Sequence, residues 1–165
     1  MPWVPFSGMQ LQLGDKLATM WQRFTERARK TIFYAQEEAQ RFQTNLVSTG
    51  PVLLGLIRET DSLAVRVLSV LRVSIAELKT EVESMMVKGA ESPASDMTLS
   101  HSSKKVIDHA YAEARDLINN YIGTEHLLLG LIAQKESLSG RAFAKLGVDL
   151  DAAREAVKKV QAEGN

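Results

Sequence analysis

The stretch Leu53-Leu-Gly-Leu-Ile57 occurs again as Leu128-Leu-Gly-Leu-Ile132, 75 positions later. The same offset relates further identical pairs without a gap, among them Lys30 and Lys105, Ile32 and Ile107, Glu38 and Glu113, Thr49 and Thr124, and Val73 and Val148. Self-similarity at a fixed offset is the signature of a repeat architecture. The sequence therefore predicts two copies, residues 23–88 and 98–163, joined by a linker at 89–97. Residues 1–22 form an extension outside the repeat.

Each copy has the apolar spacing of four amphipathic helices. The predicted N-cap residues are Thr25, Thr49, Ser62 and Ser74 in the first copy and Ser100, Thr124, Ser137 and Asp149 in the second. Prolines stand at positions 2, 5, 51 and 93, and Pro51 falls in a first helical turn, which tolerates it. No period-two alternation holds for long. The expected fold is therefore all-α, with about eight helices in two tandem four-helix bundles related by a pseudo-twofold axis.

The composition of the chain excludes several classes of function. The 165 residues include 20 basic and 20 acidic side chains, so the basic excess typical of nucleic-acid binding is absent. There are no cysteines, which excludes disulfides and thiolate metal sites. No apolar run approaches the length of a membrane span, and the first residues do not resemble a secretory signal. We expect a soluble cytoplasmic protein with neither nucleic acid nor membrane as a partner.

The sequence offers no catalytic or cofactor site. No Gly-x-x-x-x-Gly-Lys-Ser/Thr phosphate loop and no nucleophile–base set is visible. The three histidines, His101, His109 and His126, do not stand at a metal-binding spacing. We therefore predict a protein that is not an enzyme, without metal or cofactor. In this interpretation His126 is a packed structural residue, and the glycine of each Leu-Leu-Gly-Leu-Ile run marks a close approach of two helices.

Three segments carry a family resemblance: Arg23-Phe-Thr-Glu-Arg-Ala-Arg-Lys30, Ala35-Gln-Glu-Glu-Ala39 and Asn120-Tyr-Ile-Gly-Thr-Glu-His-Leu-Leu-Leu-Gly-Leu-Ile132. They resemble the double Clp N-terminal repeat domain, most closely the ClpC type, over about residues 23–163. The resemblance implies a non-enzymatic interaction module of the Clp unfoldase–protease system. As a free-standing repeat protein without ATPase modules, it would act as an adaptor, accessory or substrate-recognition protein. The implied partners are a Clp-type AAA+ unfoldase, a Clp protease subunit or a substrate protein.

The resemblance also implies a site for phosphorylated arginine in each repeat. The family site uses a hydroxyl residue at the start of the repeat's first helix and the glutamate of Gly-Thr-Glu-His. In the second copy these positions, with the neighbouring threonine, are Ser100, Thr124 and Glu125. The first copy keeps Thr25 but has Gly50 at the carboxylate position, so we expect its site to be lost. The alternative interpretation makes Thr124 an N-cap and Glu125 an acidic first-turn residue favoured by the helix dipole.

The extension contains apolar residues between Met9 and Trp21 that fit a short amphipathic helix. Three interpretations stay open for it. It is an ordered segment on the bundle, a docking segment for a partner, or a disordered tail.

Overall fold

The computed structural model describes residues 10–12, 15–90 and 96–163. The helices of the first copy are α2 (Glu26–Arg41), α3 (Thr49–Arg58), α4 (Leu63–Val70) and α5 (Ile75–Met85). Those of the second copy are α6 (His101–Asp116), α7 (Thr124–Ala133), α8 (Leu138–Lys145) and α9 (Leu150–Ala162). Helix α1 (Asp15–Met20) and a 3₁₀ turn (Trp21–Arg23) precede them and lie in the predicted extension. The all-α class and four helices per copy are confirmed.

Side-chain caps begin most of these helices as predicted. In each case the capping oxygen accepts a hydrogen bond from the backbone N–H three residues later, and the capping residues are Thr25, Ser62, Ser74, Ser100, Ser137 and Asp149. The prediction is wrong for Thr49 and Thr124. The N-caps of α3 and α7 are Ser48 and Gly123, and the two threonines are the first helical residues.

The first two helices of each copy form a tightly packed pair. A Cβ atom on Gly55 of α3 would lie 2.6 Å from the carbonyl oxygen of Thr31 and 2.8 Å from the nitrogen of Ala35, both in α2. Gly130 of α7 lies in the same way against the carbonyl oxygen of Val106 in α6. The prediction that these glycines mark close helix approach is confirmed.

The third helix of each copy packs against the other copy. Helix α4 contacts α7 and α9, while α8 contacts α3 and α5. The six leucines of the two Leu-Leu-Gly-Leu-Ile runs are buried in one hydrophobic cluster that both copies share. The two predicted four-helix copies therefore share one hydrophobic core. The short third helices cannot bury their apolar faces within their own copy alone, and the copies interdigitate.

Reciprocal hydrogen bonds explain why the two threonines are not caps of their own helices. The Thr124 hydroxyl accepts from the backbone N–H of Ala64, the second residue of α4, at 3.1 Å. The Thr49 hydroxyl accepts from the backbone N–H of Ser139, the second residue of α8, also at 3.1 Å. Each threonine thus satisfies an otherwise unpaired N–H at a helix start in the other copy. Such reciprocal contacts between equivalent residues are those of a pseudo-twofold arrangement.

Three short strands were not predicted. They are β1 (Gln10–Gln12), β2 (Leu46–Val47) and β3 (Asp96–Leu99), and they form a parallel sheet in the order β1-β3-β2. In the other half of the pseudo-twofold arrangement, the equivalent of the β2–β3 pairing is a single parallel bridge between Phe24 and Ile122. Segments of two to four residues are too short to show a period-two pattern.

Among the residues that the structure describes, no helix combines the length and the apolar character needed to cross a bilayer.

Candidate functional site

The candidate site lies where helix starts from the two copies meet. The backbone N–H of Thr25, at the start of α2, donates to the carbonyl oxygen of Ile122 at 2.9 Å. The N–H of Ile122 in turn donates to the carbonyl oxygen of Arg23 at 2.8 Å. These bonds place the N-terminus of α2, from the first copy, beside the N-terminus of α7, from the second.

An open groove of about 1000 Å³ lies at this junction, and we call it the composite groove. It is lined by Thr25, Glu26, Arg27, Lys30, Tyr34, Arg58, Glu59, Thr60, Asp61, Leu63, Arg66, Tyr121, Thr124 and Glu125. Three helices, α2, α4 and α7, begin along its walls. Because helix starts carry partial positive charge, this arrangement favours an anionic group in the groove.

Ion pairs and ring stacking order one wall of the composite groove. The Arg27 Nη1 atom lies 3.5 Å from the Glu59 Oε2 atom. The guanidinium carbon of Arg58 lies 4.1 Å from the centre of the Tyr34 ring, a cation–π contact. These contacts hold long side chains in place along the wall.

Two further cations, Lys30 and Arg66, line the groove without an ion pair to any residue that the structure describes. Both side chains are exposed, so both ammonium and guanidinium groups are available to a ligand. The carboxylates of Glu26, Glu59 and Asp61 line the same groove, so its lining carries charges of both signs.

Glu125 supplies the opposite charge from the second copy. Its side chain is 1% exposed, and its Oε2 atom accepts hydrogen bonds from the Tyr121 hydroxyl and the Gln161 Nε2 atom, both at 3.0 Å. The carboxylate folds back against Gly123, where a Cβ atom would collide with its Oε1 atom. A glycine at position 123 is therefore required for the carboxylate to occupy this position.

The Tyr121 hydroxyl remains a hydrogen-bond donor over the whole neutral range. Burial and the charge of Glu125 together raise the pKa of Tyr121 to about 12. The phenol therefore stays protonated and keeps the Glu125 carboxylate oriented.

His126 completes the network behind the groove. Its Nδ1 atom accepts from the backbone N–H of Gly123 at 2.9 Å, and its Nε2 atom lies 2.8 Å from the Asn119 Oδ1 atom. These partners assign the ring proton to Nε2. Burial lowers the pKa of His126, although the charge of Glu125 opposes that shift. The histidine is fully buried and hydrogen-bonded, which confirms its predicted structural role.

No group of three or more histidine, cysteine, aspartate or glutamate side chains that could hold a metal ion occurs within residues 10–12, 15–90 and 96–163.

The equivalent positions of the first copy, 75 residues earlier, are apolar. Tyr121, Glu125 and Gln161 correspond to Leu46, Gly50 and Met86. A Cβ atom on Gly50 would lie 3.1 Å from the Met86 sulfur and 3.4 Å from a methyl carbon of Leu138. We call this region, Leu46, Gly50 and Met86, the apolar counterpart. It has no carboxylate, and the side chain of Met86 occupies the space over Gly50.

The structure divides the predicted ligand set between the two regions. Thr124 and Glu125 line the composite groove, but Ser100 does not. The backbone N–H of Ser100 donates to the carbonyl oxygen of Val47 at 3.0 Å, next to the apolar counterpart. Helix α6 has 16 residues and is about 24 Å long, and α7 follows its other end in the chain. Thr25 of the other copy takes the place predicted for Ser100.

Sequence reasoning missed this exchange because the repeat offset shows which residues are equivalent but not which copies pair. It also missed Tyr121 and Gln161 as partners of Glu125. The signal was available in the repeat alignment, because all three polar residues of the second copy correspond to apolar or glycine residues in the first.

The fold defines an all-α tandem-repeat domain with an open groove that residues of both repeats line. The chain belongs to the family of Clp repeat (R) N-terminal domains, whose sequence profile matches residues 23–134 and 98–165.

Curated relatives include much longer Clp proteins. The chain is 41% identical over 131 residues to an "ATP-dependent Clp protease ATP-binding subunit ClpA homolog" of Cyanidium caldarium, covering 79% of this chain and 15% of the relative. It is 39% identical over 146 residues to "Chaperone protein ClpC1, chloroplastic" of Arabidopsis thaliana, covering 88% and 16%. The chain thus spans about a sixth of the length of these relatives.

Solved structures show the same fold. The N-terminal domain of the chaperone ClpD from Arabidopsis thaliana matches with a TM-score of 0.64 and 28% identity, covering 84% of this chain and 97% of that one. The N-domain of ClpV from Vibrio cholerae matches with a TM-score of 0.77 and 14% identity, covering 92% of both chains.

Proposed function

We propose that this chain is a non-enzymatic protein-interaction module of the Clp unfoldase–protease system, and that the composite groove is its recognition site. The observation that carries the proposal is the groove itself. It is large, open and lined by both repeats, and its lining combines the exposed carboxylates of Glu26 and Asp61, the unpaired cations Lys30 and Arg66, and three helix starts. An extended peptide segment with charged side chains of both signs fits this lining.

The rigid arrangement of the two copies supports recognition without a conformational change. The reciprocal caps at Thr49 and Thr124 and the shared core fix the α2, α4 and α7 starts relative to one another. A preorganised site loses little entropy on binding. In this role the chain acts as an adaptor, accessory or substrate-recognition protein, with a Clp-type AAA+ unfoldase, a Clp protease subunit or a substrate protein as partner. A cytoplasmic location is part of the proposal.

Binding measurements with purified Clp unfoldase, Clp protease and a Clp substrate from the same organism test the proposal. We expect the double variant Lys30→Gln and Arg66→Gln to weaken binding of at least one of them about tenfold, because two exposed cations of the groove are lost. The matched control replaces the equivalent residues of the other copy, Lys105→Gln and Arg141→Gln, and should bind as the wild type does. Equal binding by both double variants would place recognition elsewhere. The purified chain alone should hydrolyse neither ATP nor peptide.

A second candidate function is recognition of phosphorylated arginine. The specific observation in its favour is that one groove holds a carboxylate suited to a guanidinium and helix starts suited to a phosphate. The residues proposed for this ligand are Thr25, Thr124 and Glu125. Ser100, the residue expected from the sequence, serves here as the control.

Titration calorimetry with free phosphoarginine separates the two candidates. A reader should bind one equivalent, because the apolar counterpart has no carboxylate. Glu125→Gln should abolish measurable binding and Thr25→Ala should weaken it, whereas Ser100→Ala should leave it unchanged. Two equivalents, or binding that survives Glu125→Gln, would exclude this site. Absence of any binding would leave only the protein-interaction function.

A further inference from the structure

A second, smaller groove lies at the C-terminal end of α6, and its most unusual residue is Ile118. This side chain is 92% exposed to solvent. Its backbone has a φ of 57°, in the left-handed region that β-branched residues strongly disfavour. Ile118 therefore contributes neither buried apolar surface nor a favourable backbone conformation to the folded state. Residues held in disfavoured backbone conformations concentrate at functional sites, so this turn is a candidate for a contact outside the chain.

Other helices that are followed by a residue in the left-handed conformation provide a comparison. Four helices end in a left-handed residue, and these residues are Gln43, Arg72, Ile118 and Gly147. Gln43 is the equivalent of Ile118 in the first copy and has the same φ of 57°. The geometry of the turn is therefore satisfied by a polar residue in one copy, and the turn does not account for isoleucine in the other.

The groove beside Ile118 has a volume of about 290 Å³. It is lined by Arg23, Tyr111, Ala114, Arg115, Ile118, Asn119, Asn120, Tyr121 and Ile122. The lining thus contains apolar and aromatic groups, two arginines and no carboxylate.

The two arginines are available at the rim of this groove. The guanidinium carbon of Arg23 lies 5.7 Å from the centre of the Tyr111 ring, which positions the cation over the groove. The Arg115 Nε atom lies 3.9 Å from Asp116, and both side chains are largely exposed, so that ion pair is weak. Charge complementarity therefore calls for a partner with carboxylates around an apolar side chain.

We propose that this groove, which we call the Ile118 groove, docks a short segment of a partner protein in which an apolar residue is flanked by aspartate or glutamate. The apolar side chain contacts Ile118 and Tyr111, and the flanking carboxylates pair with Arg23 and Arg115. The site is independent of the composite groove, although Tyr121 lines both.

The test is a titration of the isotope-labelled full chain, followed by NMR, with acetylated octapeptides that carry leucine, isoleucine, phenylalanine or tyrosine between acidic residues. We expect shifts confined to the backbone amides of Arg23 and residues 111–123. Peptides with lysine or arginine in place of the acidic residues should produce no shifts. The double variant Arg23→Gln and Arg115→Gln should bind the acidic peptides at least tenfold more weakly.

The decisive pair of variants is Ile118→Asn and its counterpart Gln43→Asn. Asparagine tolerates the left-handed conformation, so Ile118→Asn should raise the melting temperature by about 2–4 °C and cannot lose binding through unfolding. It should nevertheless weaken peptide binding at least fivefold, while Gln43→Asn changes it less than twofold. Absence of binding, equal binding of basic peptides, or full binding by Ile118→Asn would overturn the proposal.

Discussion

The composite groove and the apolar counterpart are built by equivalent residues in an equivalent fold, but they have opposite chemistry. In the first, Tyr121 and Gln161 orient the buried carboxylate of Glu125. In the second, the same positions are Leu46, Met86 and Gly50, and Met86 fills the space above the glycine. The difference shows that the carboxylate is retained or lost together with the donors that hold it.

Physical chemistry explains this joint replacement. A buried carboxylate is strongly destabilising unless hydrogen bonds compensate its desolvation. Removing the glutamate alone would leave a half-buried tyrosine and glutamine without their acceptor, which is also unfavourable. The two self-consistent states are a complete polar network and a fully apolar region, and the chain contains one of each.

The largest expected effect follows from placing a carboxylate in the apolar counterpart. Gly50→Glu should lower the free energy of unfolding by about 3–5 kcal/mol, because no donor replaces Tyr121 or Gln161 there. The triple variant Gly50→Glu, Leu46→Tyr and Met86→Gln should recover part of that loss. Urea denaturation at neutral pH measures both. A single variant as stable as the wild type, or a triple variant no better than the single one, would break the comparison.

The helix pairs α2–α3 and α6–α7, by contrast, should be destabilised equally when their contact glycines are replaced by alanine. Gly55→Ala and Gly130→Ala each force a methyl group against the backbone of the neighbouring helix. Each should lower the free energy of unfolding by roughly 2–3 kcal/mol in a urea titration. If one position accepts alanine without loss, the two copies are not packed equivalently.

The reciprocal caps should also be equivalent, with a smaller effect. Thr49→Val and Thr124→Val each leave a buried backbone N–H of the other copy unpaired. We expect each to destabilise the chain by about 1–2 kcal/mol in thermal or urea unfolding. Thr80→Val, at an exposed position of α5, is the control and should be nearly neutral. A marked inequality between the two buried variants would contradict the reciprocal arrangement.

The smallest expected effect is a dependence of stability on pH that belongs to the second copy alone. His126 is neutral when folded, and burial lowers its pKa, whereas in the unfolded chain it titrates near 6.5. Below about pH 6.5 the unfolded chain therefore binds a proton that the folded chain does not, and stability falls until the folded pKa is passed. Above about pH 6.5 both states hold a neutral histidine, and this loss of stability is absent.

Urea titrations between pH 7.5 and 5 measure this slope. His126→Gln should flatten it, and His101→Gln, at an exposed position, should leave it unchanged. Glu113 does not interfere in this window. Although burial opposes the shift, the hydrogen bonds from Arg154 and His109 lower the pKa of Glu113 from its ordinary value, so its stabilisation is lost only in more acidic solution. An unchanged slope in His126→Gln would show that the histidine does not titrate on unfolding.

Much of the fold could be predicted from the sequence because its signals are local. The apolar spacing, the caps such as Ser62 and Ser137, and the glycines at 55 and 130 each act within one helix or one helix pair. The exchange of α4 and α8 between the copies could not be predicted. It depends on which copy's core accepts each helix, and both cores contain the same Leu-Leu-Gly-Leu-Ile run.

The candidate site was predictable only in part for the same reason. Glu125 and Thr124 were identified from the Gly-Thr-Glu-His segment, and the loss of the carboxylate at Gly50 was visible in the repeat alignment. Pairing Ser100 with Glu125 assumed that each copy builds its own site. The structure instead brings Thr25 to Glu125, because the α2 start pairs with residue 122 of the other copy.

Hydrogen–deuterium exchange of the full chain with and without its Clp partner tests the central claim most directly, since a bound partner slows the exchange of the amides that it covers. The account predicts protection of residues 25–30, 58–66 and 121–125 together, although they belong to different copies. The equivalent residues 100–105, 133–141 and 46–50 should be unaffected. Protection of the second set, or protection confined to a single copy, would contradict recognition in the composite groove.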